Sequence, residues 1–232
     1  MSSILSPSVE AVIAANVARI RQRIADACAR AGRDPAEVVL VAVTKGKSLA
    51  AVAALARAGV FDIGENRVQE GEAKRRAAEL AGLAGLRWHL VGHLQRNKAA
   101  RALRTFHVLH GIDSAAALEA LARRATEPVP VFLEVNVAGE PSKHGCAPEA
   151  LPTLVETARR LPAIRLEGLM TVAPVADDPE DVRPVFRELR PLAQEFGLTK
   201  LSMGMSGDFE VAIEEGATHV RLGRALFEGA IP

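Results

Sequence analysis

Eight short runs of β-branched and apolar residues, each followed by a run of helical period, constrain this chain more than any other feature. The strand candidates are Val38–Val43, Val60–Gly64, Leu86–Val91, His107–Ile112, Val129–Asn136, Ile164–Met170, Lys200–Met203 and His219–Leu222. Helices are expected near Ser48–Ala58, Arg67–Leu80, Arg96–Arg104, Ser114–Thr126, Pro148–Leu161, Pro179–Phe196 and Asp208–Glu215, with a last short one from Arg224. Ser48, Ser114 and Asp208 stand at N-cap positions, and Gly59, Gly197 and Gly216 stand where helices stop. A helix between consecutive strands returns the chain to the same end of the sheet, so neighbouring strands run parallel. Eight such units are the count of a closed (β/α)8 barrel of the TIM type. An open doubly wound sheet is the competing α/β architecture, because alternation alone does not prove closure. The strand count and the lack of a glycine-rich dinucleotide fingerprint after the first strand favour the barrel.

No linker or low-complexity tract interrupts the pattern, so one domain is expected over 1–232, with residues 1–32 as an extra amphipathic helix packed on the barrel. The 29 basic and 28 acidic residues leave a net charge of +1, which draws the chain to neither nucleic acid nor an anionic membrane. Gln95, Arg96, Asn97 and Lys98, with Arg101 and Arg104, make a basic helix start; without accompanying aromatic residues it reads as a solvated face. Two cysteines, Cys28 and Cys146, are too few for a disulfide framework and point to a reducing compartment. The N-terminus lacks the pattern of a signal peptide, and no apolar stretch is long enough to span a bilayer, so a cytoplasmic location is expected.

In such a barrel the acting residues follow the carboxyl ends of the strands. Thr44-Lys45 follows the first, Glu65-Asn66 the second, Gly92-His93 the third, Asp113 the fourth, Asn136 the fifth and Met170-Thr171 the sixth. Gly204-Met205-Ser206-Gly207 follows the seventh, and Gly223 follows Arg221 of the eighth. Lys45 is expected over the mouth with its stem partly buried, where desolvation lowers an amine's pKa and frees it to attack a carbonyl. A lysine that merely snorkels out of the core is the alternative. Gly46-Lys47-Ser48 looks like the tail of a P-loop, but Val41 stands where its leading glycine belongs. The loops around Ser206 and at Gly223-Arg224 suit an anion such as a phosphate, because small residues let backbone N–H groups approach it; tight turns are the other reading. Arg221, inside an apolar strand, needs an acceptor if buried, either a cofactor ring nitrogen or a carboxylate. His89 and His93 share no helix face, and no metal site is expected from them. Cys146 near His144 has no placed base and reads as inert. The loops Gly139–Pro148 and Pro174–Pro179 are expected on the active face.

Several segments taken in order, among them VAVTKGK, FDIGENRVQE, WHLVGHLQRNK, EVNVAGEPSKHG, LEGLMT and LSMGMSGDFEVAIEEGATHVRLGRALFEG, make the chain resemble the YggS/PROSC family of pyridoxal phosphate homeostasis proteins. The resemblance runs from about Val38 to Phe227. It implies the alanine racemase barrel, fold type III among pyridoxal phosphate proteins, with the cofactor held as a Schiff base on Lys45. It further implies that Ser206, with backbone from Gly223 and Arg224, holds the phosphate. Arg221 would meet the pyridine nitrogen, and Asn66, His89 and Met170 would line the pocket. Arg224 stands where the family often has Thr or Ser, and Glu228 is extra to the usual tail. Two functions follow as alternatives: a carrier that buffers or delivers the cofactor, possible recipients being apo-enzymes that use it, or an amino-acid racemase. A racemase needs an acid–base group on each face of the substrate carbon, and this sequence contains no tyrosine for the second face. The carrier reading is therefore preferred, with no catalytic residues assigned and a monomer expected.

Overall fold

The computed structural model describes residues 8–230. Its eight strands are β1 (Val39–Val43), β2 (Asp62–Glu65), β3 (Arg87–His93), β4 (Val108–Ile112), β5 (Val129–Glu134), β6 (Ile164–Met170), β7 (Lys200–Ser202) and β8 (His219–Leu222). Each pairs in parallel with the next, and β8 closes on β1, where Val41 faces Arg221. The helices are α1 (Val9–Arg30), α2 (Leu49–Arg57), α3 (Val68–Leu80), α4 (Ala99–Thr105), α5 (Ala115–Ala122), α6 (Leu151–Arg160), α7 (Arg183–Glu195), α8 (Phe209–Glu214) and α9 (Arg224–Phe227). The closed α/β barrel is thus as expected.

Both faces of the sheet are buried, yet the strands still alternate. Ala42, Ile63, Trp88, Leu90, Leu109, Val131, Leu133, Leu169, Leu201, Val220 and Leu222 join one apolar layer beneath the helices. Their neighbours turn toward the barrel axis, where a small apolar cluster of Val108, Phe132 and Met170 meets buried His89, His110, Ser202, His219 and Arg221. The period of two therefore separates an oily outer layer from a polar interior.

Helix ends follow local chemistry. The Ser48 and Ser114 hydroxyls accept from the N–H groups of Ala51 and Ala117 at 3.3 and 3.4 Å. Asp208 does not cap α8 with its side chain; it accepts from the Met205 N–H at 2.6 Å and braces the loop before the helix. The runs beginning at Arg96, Pro148 and Pro179 start as short 3-10 turns before becoming α-helical. Two begin on proline, whose fixed φ suits a first turn. Helix α1 lies across the outer layer, burying Ile13, Val17, Ile20 and Ile24. Its buried Asn16 donates to the carbonyls of Leu226 and Glu228 at 3.1 and 2.9 Å, tying it to the last turn of the chain. No described helix is long and apolar enough to cross a membrane.

Candidate binding site at the barrel mouth

A cavity of about 490 Å³ opens at the carboxyl ends of the strands. Val43, Val91, Met170 and Val172 form its apolar wall, and Pro174 to Ala176 with Pro179 rim it from the loop after β6. Arg221 enters from the barrel axis, and Ser206, Gly207, Asp208, Gly223 and Arg224 form the opposite side. The mouth thus pairs a flat apolar region with a cationic, donor-rich one.

The donor-rich side depends on close packing. Gly204 has φ +90°, and a Cβ there would meet the Ala212 Cβ at 2.7 Å. The turn therefore tolerates only glycine, and it brings Ser206 across to α9. The Ser206 hydroxyl accepts from the Ala225 N–H at 3.2 Å, which leaves its own proton free to donate. The Arg224 guanidinium lies 4.0 Å from where a Gly207 side chain would begin. A hydroxyl, a guanidinium and loop backbone thus converge on one small volume, a composition suited to a dianion.

Lys45 comes two residues after β1 and is exposed. This corrects the expectation of a partly buried stem: Gly46, with φ +68°, turns the chain outward immediately. The lysine of this region that is largely buried is Lys74 on α3. Its ammonium donates to the Thr44 carbonyl at 2.6 Å and to the Glu65 carboxylate. The Thr44 hydroxyl donates to the same carboxylate at 2.5 Å. Burial raises the Glu65 pKa, while the Lys74 and Thr44 hydrogen bonds oppose that rise. This knot anchors the residue before Lys45, so the backbone at Lys45 is held although its side chain is free.

Arg221 is the end of a hydrogen-bonded chain through the barrel interior. Its Nη2 donates to the Thr171 carbonyl at 2.9 Å and its Nη1 to Ser202 Oγ at 2.7 Å. Ser202 Oγ lies 2.8 Å from His110 Nδ1, His110 Nε2 lies 2.9 Å from His89 Nδ1, and His89 Nε2 lies 2.8 Å from Asp62 Oδ1. The Asp62 carboxylate only accepts, so with both imidazoles neutral the direction of every link follows from that end. Ser202 donates to His110, His110 to His89, and His89 to the Asp62 carboxylate. Each ring then carries one proton. Burial keeps the rings neutral by pushing both imidazoles below their ordinary pKa, His110 well below, with Asp62 opposing the shift at His89. Burial lowers Arg221 to about 10, with Glu134 and Asp208 favouring its charge, so it stays cationic at neutral pH.

The structure brings Asn66, Met170, Ser206, Arg221, Gly223 and Arg224 onto one cavity. Lys45 is not in the cavity wall; it lies two residues past the wall residue Val43 and is exposed. His89 is fully buried on the axis below, and the cavity wall does not include it. Sequence reasoning missed His110, Ser202 and Asp62. They lie on three different strands, and only the barrel's register places them in line. It also missed Asp208 as a wall residue, although its place beside Ser206 was a usable signal.

A closed barrel with a lysine after its first strand and an anion-suited rim after its last two defines the class of alanine racemase-type barrels. Residues 13–230 match the family described as alanine racemase, N-terminal domain. An alanine racemase from Clostridium difficile superimposes with TM-score 0.71 at 15% identity, covering 91% of this chain and 56% of that one; this likeness is one of fold. Within the class, a pyridoxal phosphate homeostasis protein of Pseudomonas aeruginosa is 45% identical over 220 residues, covering 93% of this chain and 94% of the relative. A second, from Aquifex aeolicus, is 40% identical, covering 91% and 95%. The structure of PipY from Synechococcus elongatus with PLP bound superimposes with TM-score 0.80 at 35% identity, covering 93% of this chain and 99% of that one. This chain belongs to the family of pyridoxal phosphate homeostasis proteins.

Proposed function

We propose that this protein binds pyridoxal 5′-phosphate in the mouth cavity, with Lys45 as the covalent attachment point, and that it holds and hands on the cofactor. The observation that carries this reading is the convergence of Arg221, Ser206, Gly223 and Arg224 on one cavity of about 490 Å³, whose wall residue Val43 lies two positions before Lys45. The residues fit the group. Ser206, Arg224 and the backbone at Gly223 would take the phosphate, Val43, Val91 and Met170 the faces of the ring, and Arg221 the ring nitrogen. When bound, pyridoxal phosphate supplies an aldehyde that amines capture reversibly and a ring that withdraws electrons.

The chain's own groups favour carriage over turnover. Arg221, held as a donor by Ser202 and Thr171, would keep the ring nitrogen unprotonated and so weaken the ring as an electron sink. These 232 residues contain no tyrosine. Lys45 is exposed at the rim, so a second amine from solvent or from an acceptor has access to the attachment point. The acceptors in this reading are apo-forms of enzymes that use the cofactor, and the working unit is one chain.

Borohydride reduction of the loaded protein, followed by peptide mapping, is expected to place the label on Lys45, and Lys45→Ala to lose the visible absorption band. A label mainly on Lys47 or Lys143 removes the assignment. Mixing loaded protein with an apo-enzyme should activate that enzyme as the band declines. Rapid stereospecific exchange of the α-proton of alanine without such transfer would instead put the racemase reading first.

A further inference from the structure

Beyond the mouth cavity, the strand ends β3 to β5 carry a second constellation. His93 ends β3, Asp113 follows β4, and His144 lies in the loop between β5 and α6. One ligand atom from each lies within 4.8 Å of those of the other two. His93 Nδ1 and Asp113 Oδ2 are 3.0 Å apart. This pair is not a formed hydrogen bond: Nδ1 is buried and has no hydrogen-bond partner. A buried ring nitrogen that faces a carboxylate without alignment is left without a hydrogen-bond partner, which is costly.

The backbone holds these side chains together. A Cβ at Gly111 would come 2.5 Å from the Gly92 carbonyl oxygen. The absence of one lets β3 and β4 approach where their register shifts between Leu90 and His93. In the loop after β5, the Cys146 N–H donates to the Glu134 carbonyl at 2.8 Å, and the Asn136 N–H donates to the Cys146 carbonyl at 2.9 Å. Gly145 has φ +115°, and a Cβ there would fall 2.6 Å from the Asn136 nitrogen. Only glycine therefore lets this loop lie against the strand end, and its close approach delivers His144 to His93. Their rings stack at 4.4 Å with planes 12° apart.

We propose that His93, Asp113 and His144 bind one borderline divalent cation, with Zn²⁺ the best match, and that the ion ties the β5–α6 loop to the barrel rim. Two imidazoles and one carboxylate suit Zn²⁺, Co²⁺ or Ni²⁺ and are a poor set for Mg²⁺ or Ca²⁺, which prefer oxygen ligands. Tetrahedral bonds of about 2.0–2.2 Å put ligand atoms roughly 3.4 Å apart. The His93–Asp113 pair is already near that spacing. His144 is exposed and must swing its ring out of the stack to complete the set. Water takes the fourth position. The Cys146 thiol is not among the ligand atoms that meet here and lies outside the set.

The test is a Zn²⁺ titration against a chromophoric chelator, run on cofactor-free and cofactor-loaded protein. The expected result is one Zn²⁺ per chain in both, weakened at least ten-fold by Asp113→Asn and by His144→Ala, and unchanged by Cys146→Ser. Zn²⁺ should also raise the wild-type melting temperature and slow proteolysis within residues 136–147, with neither effect in the His144→Ala protein. His144 is exposed, so that variant keeps its fold, and its metal-free melting temperature checks this. Wild type without stoichiometric Zn²⁺ binding, or variants that bind like wild type, would overturn the site. Binding lost in Cys146→Ser would reassign it to the thiol.

Discussion

Ser206 and Arg221 show how much one side chain can decide at this mouth. Ser206 accepts one backbone N–H and keeps one proton to give, so Ser206→Ala removes a single donor from the proposed phosphate contact. The expected cost is about 1–3 kcal/mol of cofactor affinity, the scale of a hydrogen bond to a charged group. Equilibrium binding of pyridoxal phosphate to the two proteins measures it. Pyridoxal lacking the phosphate should bind far more weakly to wild type and show little difference between the two. Equal affinity of wild type for both ligands would mean the phosphate is held elsewhere. Arg221 was legible as a buried arginine in need of an acceptor. Its partners, the Ser202 hydroxyl and the Thr171 carbonyl, were not, because one comes from β7 and the other from the residue after β6.

At the scale of elements, β2 and α3 are joined by an ion pair that no local pattern announces. Glu65 is fully buried at the end of β2, and Lys74 on α3 is nearly so. Removing one member of a buried pair strands the other charge, which costs several kcal/mol, whereas replacing both with apolar groups can be neutral. Lys74→Met should therefore destabilise the protein by about 3–5 kcal/mol, and adding Glu65→Leu should recover much of that loss. Urea unfolding of the single and double variants gives the comparison. A double variant as unstable as the single would show that the loss lies in packing. Lys45 is bound to this knot through Thr44, so the single variant should also slow borohydride labelling of Lys45. Caps and stops, by contrast, were readable element by element: Ser48, Ser114, Gly59, Gly197 and Gly216 act where their chemistry says. Asp208 was misread because its carboxylate finds the Met205 N–H first.

The whole barrel stores a pH dependence in its axis. His219 is buried against Phe132 and His110, and burial lowers its pKa from 6.5 to about 3. A group with a depressed folded pKa contributes stability above its unfolded value, and that stability is lost as pH falls toward the folded one. Between about pH 6.5 and 3 the unfolded chain binds a proton that the native His219 refuses, a slope of about 1.4 kcal/mol per pH unit. His89 and His110 are shifted in the same direction. Stability should thus fall steeply below pH 6.5, before most carboxylates titrate. His219→Phe, which keeps the ring volume, should flatten that limb by about 1.4 kcal/mol per pH unit. Unfolding free energies at pH 5 and 6.5 decide the matter: parallel lines for the two proteins would sink it.

The sequence by itself determined the number and order of the elements, the outer apolar layer and the rim residues that follow each strand. Those properties reside in short-range periodicity, in caps and in glycines, all of which act within a few residues. Lys45, Ser206, Gly223 and Arg224 were legible because a parallel barrel places every strand end on one face. Tertiary structure alone decided what the inward faces touch. The line from Arg221 through Ser202, His110 and His89 to Asp62 joins five residues of five strands, β2, β3, β4, β7 and β8. Its alignment depends on barrel closure and on strand register, including the shift between Leu90 and His93. The exposure of Lys45 and the meeting of His93, Asp113 and His144 likewise rest on backbone turns at Gly46 and Gly145. A period of two says that a side chain points inward; only the register of the closed sheet says which other side chain it meets there.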